Sequence, residues 1–452
     1  EIMPSLVGSE MCIRDSIKIA QLFLCFTILV GIHELGHFLM ARAFKIRVEK
    51  FYIFFDPWFS IFKFKRGDTE YGLGWLPLGG YCKIAGMIDE SMDKEQMKQP
   101  VKPDEFRAKP AWQRLLVMVA GVMMNVLLAI VIYCAVCYTW GDSYFSNQDA
   151  KWGYNFNPTA HEMGFRDGDR FVSIDGEEID NVMRVQNDLL ITDGGRRVVV
   201  ERGGEPVTLD IPFESLLRMR QEKAYEDLFT LRLPFIVDSV SYTSAVEAGL
   251  QSGDEVVAID DLRDADYPRY RDYLQKHKND KVLLTVRRDG ALIDSLALPV
   301  DAEGRIGVTV TNPYSLRTQY YTFWESIPAG IHKAGKTISS YWDQLKLIVQ
   351  PKTKMYEELG GFVAIGSIFP GSWDWHDFWL KTAFLSIILA VMNLLPIPGL
   401  DGGHALFTLW EIITRRKPSE KFLEVAQYVG LMIILALLVY ANGNDIYRFF
   451  IK

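Results

Sequence analysis

The chain has 452 residues, of which 49% are hydrophobic and 23% are charged, and its formal net charge is −8. A chain of this length predicts about three domains of roughly 150 residues each. The mean hydropathy of +0.04 is high for a soluble protein. It comes from a few long apolar segments between stretches of ordinary globular composition. The acidic balance, without a basic stripe, argues against a nucleic-acid-binding protein.

The chain begins with a segment, residues 1–16, that fits neither a membrane span nor a domain. We expect it to be disordered or not native to the protein. Residues 17–44 are apolar and long enough to cross a hydrocarbon core of ~30 Å. A secretory signal is the alternative, because Ala41-Arg42-Ala43 resembles a cleavage site. Signal peptides carry their basic residues before the apolar run, whereas here they follow it, which favours a first transmembrane helix.

Residues 33 to 37, inside this predicted helix, read His-Glu-Leu-Gly-His. Positions i and i+4 of a helix lie on the same face, so His33 and His37 can bind one metal ion with Glu34 beside it. Such a pentapeptide also occurs by chance on ordinary helix faces. Ionisable groups within a membrane are costly, however, and usually have a function. The motif therefore predicts two ligands and a base of a zinc hydrolase.

Residues 45–111 are predicted to form a β-rich region that is cytoplasmic or re-enters the membrane. Within it, residues 75–86 indicate a β-hairpin or re-entrant loop with a free edge. Such an edge can pair with an unwound substrate. Gly79 and Gly80 are therefore candidate substrate-binding residues. A hairpin with a purely structural use is the alternative.

Residues 112–140 form the second predicted transmembrane helix. Cys134 and Cys137 have the spacing of a redox pair, but they lie in this apolar span without a second pair, which favours a packing role. Four basic residues between 414 and 421 place that short loop and the end of the first span in the cytoplasm by the positive-inside rule. Residues 141–311, with a net charge of −12, then lie outside.

This outer region contains an internal repeat. Residues 164–175 align with residues 249–260 at a constant offset, and each copy has a Gly-Asp turn before a short apolar strand. We predict two copies of one β-rich domain, at residues 141–226 and 227–312. Both copies resemble the PDZ domains of bacterial envelope proteases, which can accept a peptide as an added strand. A scaffold or steric cover without a ligand is the alternative, and the first copy lacks part of its leading strand.

Residues 313–377 are predicted to form an amphipathic, interfacial linker with surface-lying or gating elements at 341–349 and 360–369. The third predicted transmembrane helix, residues 378–413, is interrupted by prolines and glycines between Asn393 and His404. Non-helical backbone at membrane depth is tolerated where it is buried in protein or lines a wet cavity. This predicts a broken helix that presents Asp401, rather than a plain Asp-Gly loop. Residues 422–441 form the fourth span.

Catalytic zinc usually has three protein ligands and one open position. Asp401 is the best candidate for the third ligand. His33-Glu34-x-x-His37, the Asn393-x-x-Pro396-x-Pro398-x-Leu-Asp401-Gly segment and the paired PDZ-like repeats resemble the site-2 protease family, in the layout of the bacterial regulator of sigma-E protease group. This resemblance covers residues 17–452.

The resemblance implies that His33, His37 and Asp401 bind Zn²⁺ and that Glu34 is the catalytic base. It also implies that Asn393 positions the substrate or stabilises an oxyanion, and we add Pro396 and Pro398 as candidate substrate-binding residues. The predicted fold class is a multi-pass α-helical membrane protein with four transmembrane helices, a membrane-associated β-hairpin region and two extracytoplasmic PDZ-like domains.

The predicted function is that of a zinc-dependent intramembrane endopeptidase. We expect it to be a monomer in the bacterial inner membrane, in contact with lipid and with periplasmic PDZ-like domains that screen substrates. The resemblance implies single-span membrane protein substrates, such as an anti-sigma factor, or remnant signal peptides.

Two other functions are compatible with parts of the sequence. A non-enzymatic membrane scaffold would need a structural metal, but such sites have closed coordination, commonly by four Cys or His ligands. A membrane-anchored metalloprotease of the ordinary kind would need a third ligand in its outer region. Residues 141–311 offer only His161 and His277, without a helical motif around either.

Overall fold

The computed structural model describes residues 3–76, 79–87, 100–225 and 227–451. The chain divides into two compact units. We call Glu1–Gly141 together with Tyr320–Lys452 the membrane unit, and Asp142–Gln319 the β-rich unit. Each unit is described by itself below.

The first part of the membrane unit contains two long helices with a sheet between them. Its elements are α1 (Met3–Ala43), β1 (Val48–Ile53), β2 (Phe55–Arg66), β3 (Thr69–Leu76), β4 (Tyr81–Ile84) and α2 (Ala111–Trp140). The four strands form one sheet in the order β2-β3-β1-β4, so β2 and β4 are the edge strands within the part of the chain that the structure describes. Helix α1 begins at Met3, so it includes residues 3–16 of the segment that we expected to be disordered or not native to the protein.

The β-rich unit begins with the elements of a first hydrophobic core. These are β5 (Asp142–Tyr144), β6 (Tyr154–Phe156), α3 (Pro158–Glu162), β7 (Arg170–Ile174), β8 (Glu177–Glu178), α4 (Val185–Leu190), β9 (Arg196–Arg202), β10 (Glu205–Ile211), α5 (Phe213–Gln221) and β11 (Phe229–Leu231). Buried residues from Phe145 to Leu228 form this core. Strand β11 pairs with β6 and packs on the same core, so the first core extends past residue 226, where we expected the repeat to end.

A second hydrophobic core follows, between Phe235 and Ile306. Its elements are β12 (Val237–Val240), α6 (Thr243–Glu247), β13 (Glu255–Ile259), α7 (Tyr267–Lys276), β14 (Lys281–Arg288), β15 (Ala291–Pro299) and β16 (Val308–Val310). Strand β17 (Arg317–Gln319) then pairs with β5, which joins the two ends of the unit.

Each of the two cores contains an arginine–aspartate ion pair at the same place in the repeat. This supports the internal repeat that the sequence predicted. Arg202 donates two hydrogen bonds to the carboxylate of Asp169, at 2.8 and 2.7 Å, and one to the carbonyl of Gly164. Arg288 makes the same three contacts with Asp254 and Gly249. The pairs β6–β11 and β12–β16 also correspond, although β6 is one residue shorter than β12.

The last part of the chain returns to the membrane unit, and its described residues form five α-helices. They are α8 (Phe323–Val349), α9 (Phe362–Ser367), α10 (Trp375–Leu394), α11 (Asp401–Thr414) and α12 (Glu420–Ile446). The linker expected at 313–377 therefore contains a helix of 27 residues, of which the predicted amphipathic stretch is only the end. The break in the third span lies where the sequence placed it, between Leu394 and Asp401.

Among the described residues, four helices are long and apolar enough to cross a membrane, in agreement with the predicted number. They cover Ile13–Ala43, Ala111–Trp140, Trp375–Leu394 and Lys421–Phe449. Helix α2 contacts α1, α8, α10 and α11. Helix α1 carries His33 and His37, and helices α10 and α11 are the two halves of the broken span. All three therefore pack against α2.

Candidate metal centre and catalytic cavity

The two parts of the predicted site meet in the structure. Nε2 of His33 lies 3.0 Å from Oδ2 of Asp401, and Nε2 of His37 lies 3.2 Å from the same oxygen. The two imidazole Nε2 atoms are 3.2 Å apart. Asp401 is the first residue of α11, where the helix dipole favours an acidic side chain. One ligand atom from each residue could therefore hold a single metal ion.

The hydrogen bonds around these side chains fit a cation. Nδ1 of His37 donates to the carbonyl of Val117 at 2.8 Å, which leaves Nε2 of the neutral ring with a free lone pair. Oδ2 of Asp401 is buried and accepts no hydrogen bond from the described residues. Three acceptor atoms therefore point at one another, and a metal ion is the group that such an arrangement can bind.

Helix α2 contributes two residues to this centre that the sequence analysis missed. A Cβ atom at Gly121 would lie 2.5 Å from Nε2 of His37 and 2.7 Å from Cε1 of His33, so only glycine leaves room for the imidazoles. The side-chain nitrogen of Asn125 is placed 3.2 Å from Nδ1 of His33, and its Oδ1 is buried without a partner in the described chain.

The side-chain amide of Asn125 is better satisfied after a half-turn. If His33 binds metal through Nε2, its Nδ1 carries a hydrogen and needs an acceptor. Rotation of the amide gives Oδ1 that role, and the oxygen and nitrogen of an amide are assigned from the surrounding hydrogen bonds. The sequence held a signal for this residue, because Asn125 is a polar side chain inside an apolar span.

Glu34 faces a cavity of about 880 Å³ inside the membrane unit. The same cavity reaches His33, His37 and Asp401. The carboxylate of Glu34 accepts a hydrogen bond from the backbone N–H of Cys82 in β4. The free edge of β4 therefore faces the carboxylate that the sequence singled out as a base.

The remaining predicted residues fall into two groups. Asn393 lies at the end of α10 with its amide nitrogen 3.4 Å from Nε2 of His33, and Asn393, Gly79 and Gly80 line the cavity. A Cβ atom at Gly80 would lie 2.8 Å from the side chain of Val30 in α1, so glycine lets β4 approach the helix. Pro396 and Pro398 form the break itself and lie outside the cavity wall.

Comparison with known proteins supports the same chemistry. The sequence profile described as peptidase family M50 matches residues 21–437. A Vibrio cholerae protein named as a zinc metalloprotease is 30% identical over 93% of this chain and 96% of its own length. A Clostridium perfringens protein, also named as a zinc metalloprotease, is 28% identical over 94% and 96%. The Haemophilus influenzae protein named regulator of sigma E protease is 27% identical over 95% and 99%.

Proposed function

The chain belongs to peptidase family M50, and from this premise we propose that it cuts single-span membrane proteins at the centre formed by His33, His37 and Asp401. It is a zinc metalloprotease of the membrane. The convergence of those three ligands, from an apolar helix and from the break of another, is the observation that carries the assignment. In this proposal they are the zinc ligands.

Glu34 acts as the catalytic base. When bound, zinc supplies a Lewis acid that polarises the peptide carbonyl. A carboxylate oxygen of Glu34 takes a proton from the attacking water and passes it to the leaving nitrogen, which is work that typically contributes about 10² to 10⁴ in rate. Its place in the cavity wall beside His33 supports this role. Asn393 positions the scissile carbonyl, since its amide reaches the edge of the His33 ring.

The substrate binds as an extra strand on β4. A membrane-spanning substrate is helical, so its peptide bonds must be unwound before they can be cut. Strand β4 is an edge strand, and its Cys82 N–H already points at Glu34. The glycines at 79 and 80 leave the adjacent wall of the cavity free of side chains. Edge-strand addition would hold the unwound segment extended.

The two cores of the β-rich unit are PDZ-like domains that screen substrates. The repeated ion pairs and the repeated strand pairs support two copies of one domain. We place them in the periplasm, with the membrane unit in the inner membrane, because the basic loop after α11 faces the cytoplasm by the positive-inside rule. The name of the Haemophilus influenzae relative suggests an anti-sigma factor as one substrate, and remnant signal peptides are another.

One experiment tests the enzymatic proposal. The full chain is reconstituted in vesicles with a tagged single-span substrate, and cleavage is followed with and without a zinc chelator. Glu34→Gln should retain zinc while cleavage falls by about 10² or more. His33→Ala and Asp401→Ala should lose zinc as well. Glu247→Gln, at an exposed position in α6, is the matched control. Equal cleavage by Glu34→Gln would refute the proposal.

A second experiment tests the screening role. The same single-span substrate is offered with outer segments of increasing folded size, from a short tail to a compact domain. Screening predicts that cleavage falls steeply once the segment is folded and bulky. A rate that does not change with the size of the outer segment would exclude it.

A further inference from the structure

We infer that Gln427 of α12 binds a backbone amide of the unwound substrate, on the edge of the substrate strand that β4 does not pair with. The inference rests on the proposed function and adds a substrate-binding residue to the same site. The side chain of Gln427 lines the catalytic cavity, as do those of His33, Glu34 and Asp401.

Gln427 lies at a position of α12 where an apolar residue is expected. Leu423, Gln427, Gly430 and Ile434, three or four positions apart, are buried or half-buried, whereas the residues between Gly430 and Ile434 are exposed. This spacing marks the face of the helix that turns towards the rest of the unit. Residues 429–439 of the same helix have no polar side chain. A polar side chain on the covered face of a membrane-spanning helix usually has a function.

A close helix contact fixes the place of Gln427 in the cavity wall. Gly430, one turn further along α12, lies against the break of the third span, where a Cβ atom on it would overlap the carbonyl oxygen of Pro398. The break continues into α11, and Gly399 and Asp401 line the cavity together with Gln427. Residues three apart lie on the same side of a helix. The contact of Gly430 therefore holds Gln427 close to the segment that presents Asp401.

The side-chain amide of Gln427 makes no hydrogen bond with the residues that the structure describes. Water in an open cavity can pair with such an amide. A substrate that enters the cavity displaces this water, and an amide left without a partner then costs free energy. The substrate must therefore offer a donor or an acceptor to Gln427, or its binding is weakened.

The backbone of the substrate is the group that can do so. The side chains of a membrane-spanning segment are predominantly apolar, but its residues still carry N–H and C=O groups. Successive residues of an extended strand direct these groups to opposite edges, so a strand added to β4 has one paired edge and one unpaired edge. A glutamine amide has two donors and an acceptor and can bind either group. This contact does not depend on which side chains the substrate carries.

The test replaces single backbone amides of the substrate by esters. A synthetic single-span substrate, whose cut site has been located by mass spectrometry, carries one ester at each position around the scissile bond, which itself stays an amide. Each ester removes one N–H donor and weakens one C=O acceptor but keeps every side chain. For each substrate kcat/KM is measured in vesicles with the full wild-type chain and with Gln427→Met. Methionine is an unbranched residue of similar length that offers only a weak acceptor.

At one position the ester should lower kcat/KM of the wild-type chain about 3- to 10-fold more than that of Gln427→Met, because the variant already lacks the hydrogen bond. Esters at the other positions should affect both chains equally. Gln344→Met is the matched control. Gln344 is half-buried in α8, outside the cavity wall, and its Nε2 lies 3.4 Å from Oγ of Ser340. The control should show the wild-type loss with every ester.

Equal ester losses in the wild-type chain and in Gln427→Met at every position would overturn the inference, while the proposed function stands. Bound zinc and thermal unfolding are measured for each variant. If Gln427→Met loses zinc or the fold, Gln427→Leu takes its place, and the same loss in both variants would assign Gln427 to the fold and refute its role in binding. If the wild-type chain does not cut the substrate that contains only amides, the proposed function fails, and the inference with it.

Discussion

Arg114, near the start of α2, donates a hydrogen bond of 2.5 Å from Nη2 to Oε1 of Glu411, near the end of α11. The side chains are only 11% and 19% exposed. Arg114 also donates to the carbonyl of Lys109. Helix α11 begins at Asp401, the third of the proposed zinc ligands. This ion pair therefore holds the far end of α11 against α2, the helix that also packs on the proposed metal centre.

We therefore expect Arg114→Ala to weaken both the fold and the metal centre. Removal of one partner leaves a poorly solvated carboxylate, a loss that typically costs roughly 3–5 kcal/mol for buried pairs. Thermal unfolding of the detergent-solubilised chain measures the stability, and competition with a chromophoric chelator measures the zinc affinity. The exchange Arg114→Glu with Glu411→Arg should recover part of both losses.

The control for this charge pair is Lys346→Ala. Lys346 pairs with Asp343 at 2.8 Å on the surface of α8, and the side chains are 57% and 47% exposed. Such a pair contributes about 0.5 kcal/mol or less. If Arg114→Ala lowers the thermal stability and the zinc affinity as little as Lys346→Ala does, the Arg114–Glu411 pair does not position α11.

Gly121→Ala tests whether the close contact of α2 with the two imidazoles is required. The new methyl carbon would lie 2.5 Å from Nε2 of His37. If His37 binds zinc as proposed, its imidazole cannot move away without leaving the metal. We expect zinc to be lost and cleavage with it, while the four-helix fold persists. Bound zinc is measured by atomic absorption of the purified chain.

Gly335→Ala in α8 is the matched substitution. A Cβ atom there meets nothing within 4 Å, and the residue is helical. It should be neutral or stabilise the chain by about 0.5–1 kcal/mol, the usual gain for alanine over glycine in a helix. Full zinc occupancy in Gly121→Ala would show that the centre tolerates a wider separation from α2.

The sequence predicted the ligand-bearing elements because each has a local signal. The HExxH spacing requires only a helix, and the prolines before Asp401 can only interrupt one. The contribution of α2 could not be predicted in the same way. The role of Gly121 depends on what faces it across a helix contact, and a single sequence carries no information on that pairing. The length of α8 was missed because Pro328 and a mixed polar pattern hide a helix whose apolar side packs on α2 and α10.

Substitutions of Asn125 distinguish a role in positioning the His33 ring from a role in packing alone. Asn125→Leu has a similar volume but offers no acceptor to Nδ1 of His33. Loss of a hydrogen-bond partner behind a metal-binding histidine typically lowers metal affinity by about 10- to 100-fold. Asn125→Asp keeps an acceptor and should restore most of the affinity. Chelator competition at fixed pH measures both variants, and equal affinities for Asn125→Leu and the wild-type chain would assign Asn125 to packing alone.

The Arg288–Asp254 ion pair predicts that the stability of the second core of the β-rich unit depends on pH. Burial raises the pKa of Asp254, but hydrogen bonds from Arg288 and from the backbone N–H of Gln251 outweigh this effect, so the pKa lies below its ordinary value. A carboxyl whose pKa is lower in the folded state stabilises the fold above the pKa of the unfolded chain, about 3.9 for Asp. That stability is lost as the pH falls through the folded value.

Lowering the pH from about 5 to about 3 should therefore reduce the protection of the β13 and β14 amides in the full chain, measured as the exchange rate relative to that of an unstructured amide at the same pH. Asp254→Asn should already exchange faster at pH 7 and should respond less to acid, because its side chain cannot be protonated in this range. Asp294→Asn, at an exposed position of β15, should behave as the wild-type chain does. If the protection of these amides falls in acid as much in Asp254→Asn as in the wild-type chain, the protonation of other carboxylates causes the loss. The bidentate contact with Arg288 would then stabilise the core equally at both pH values.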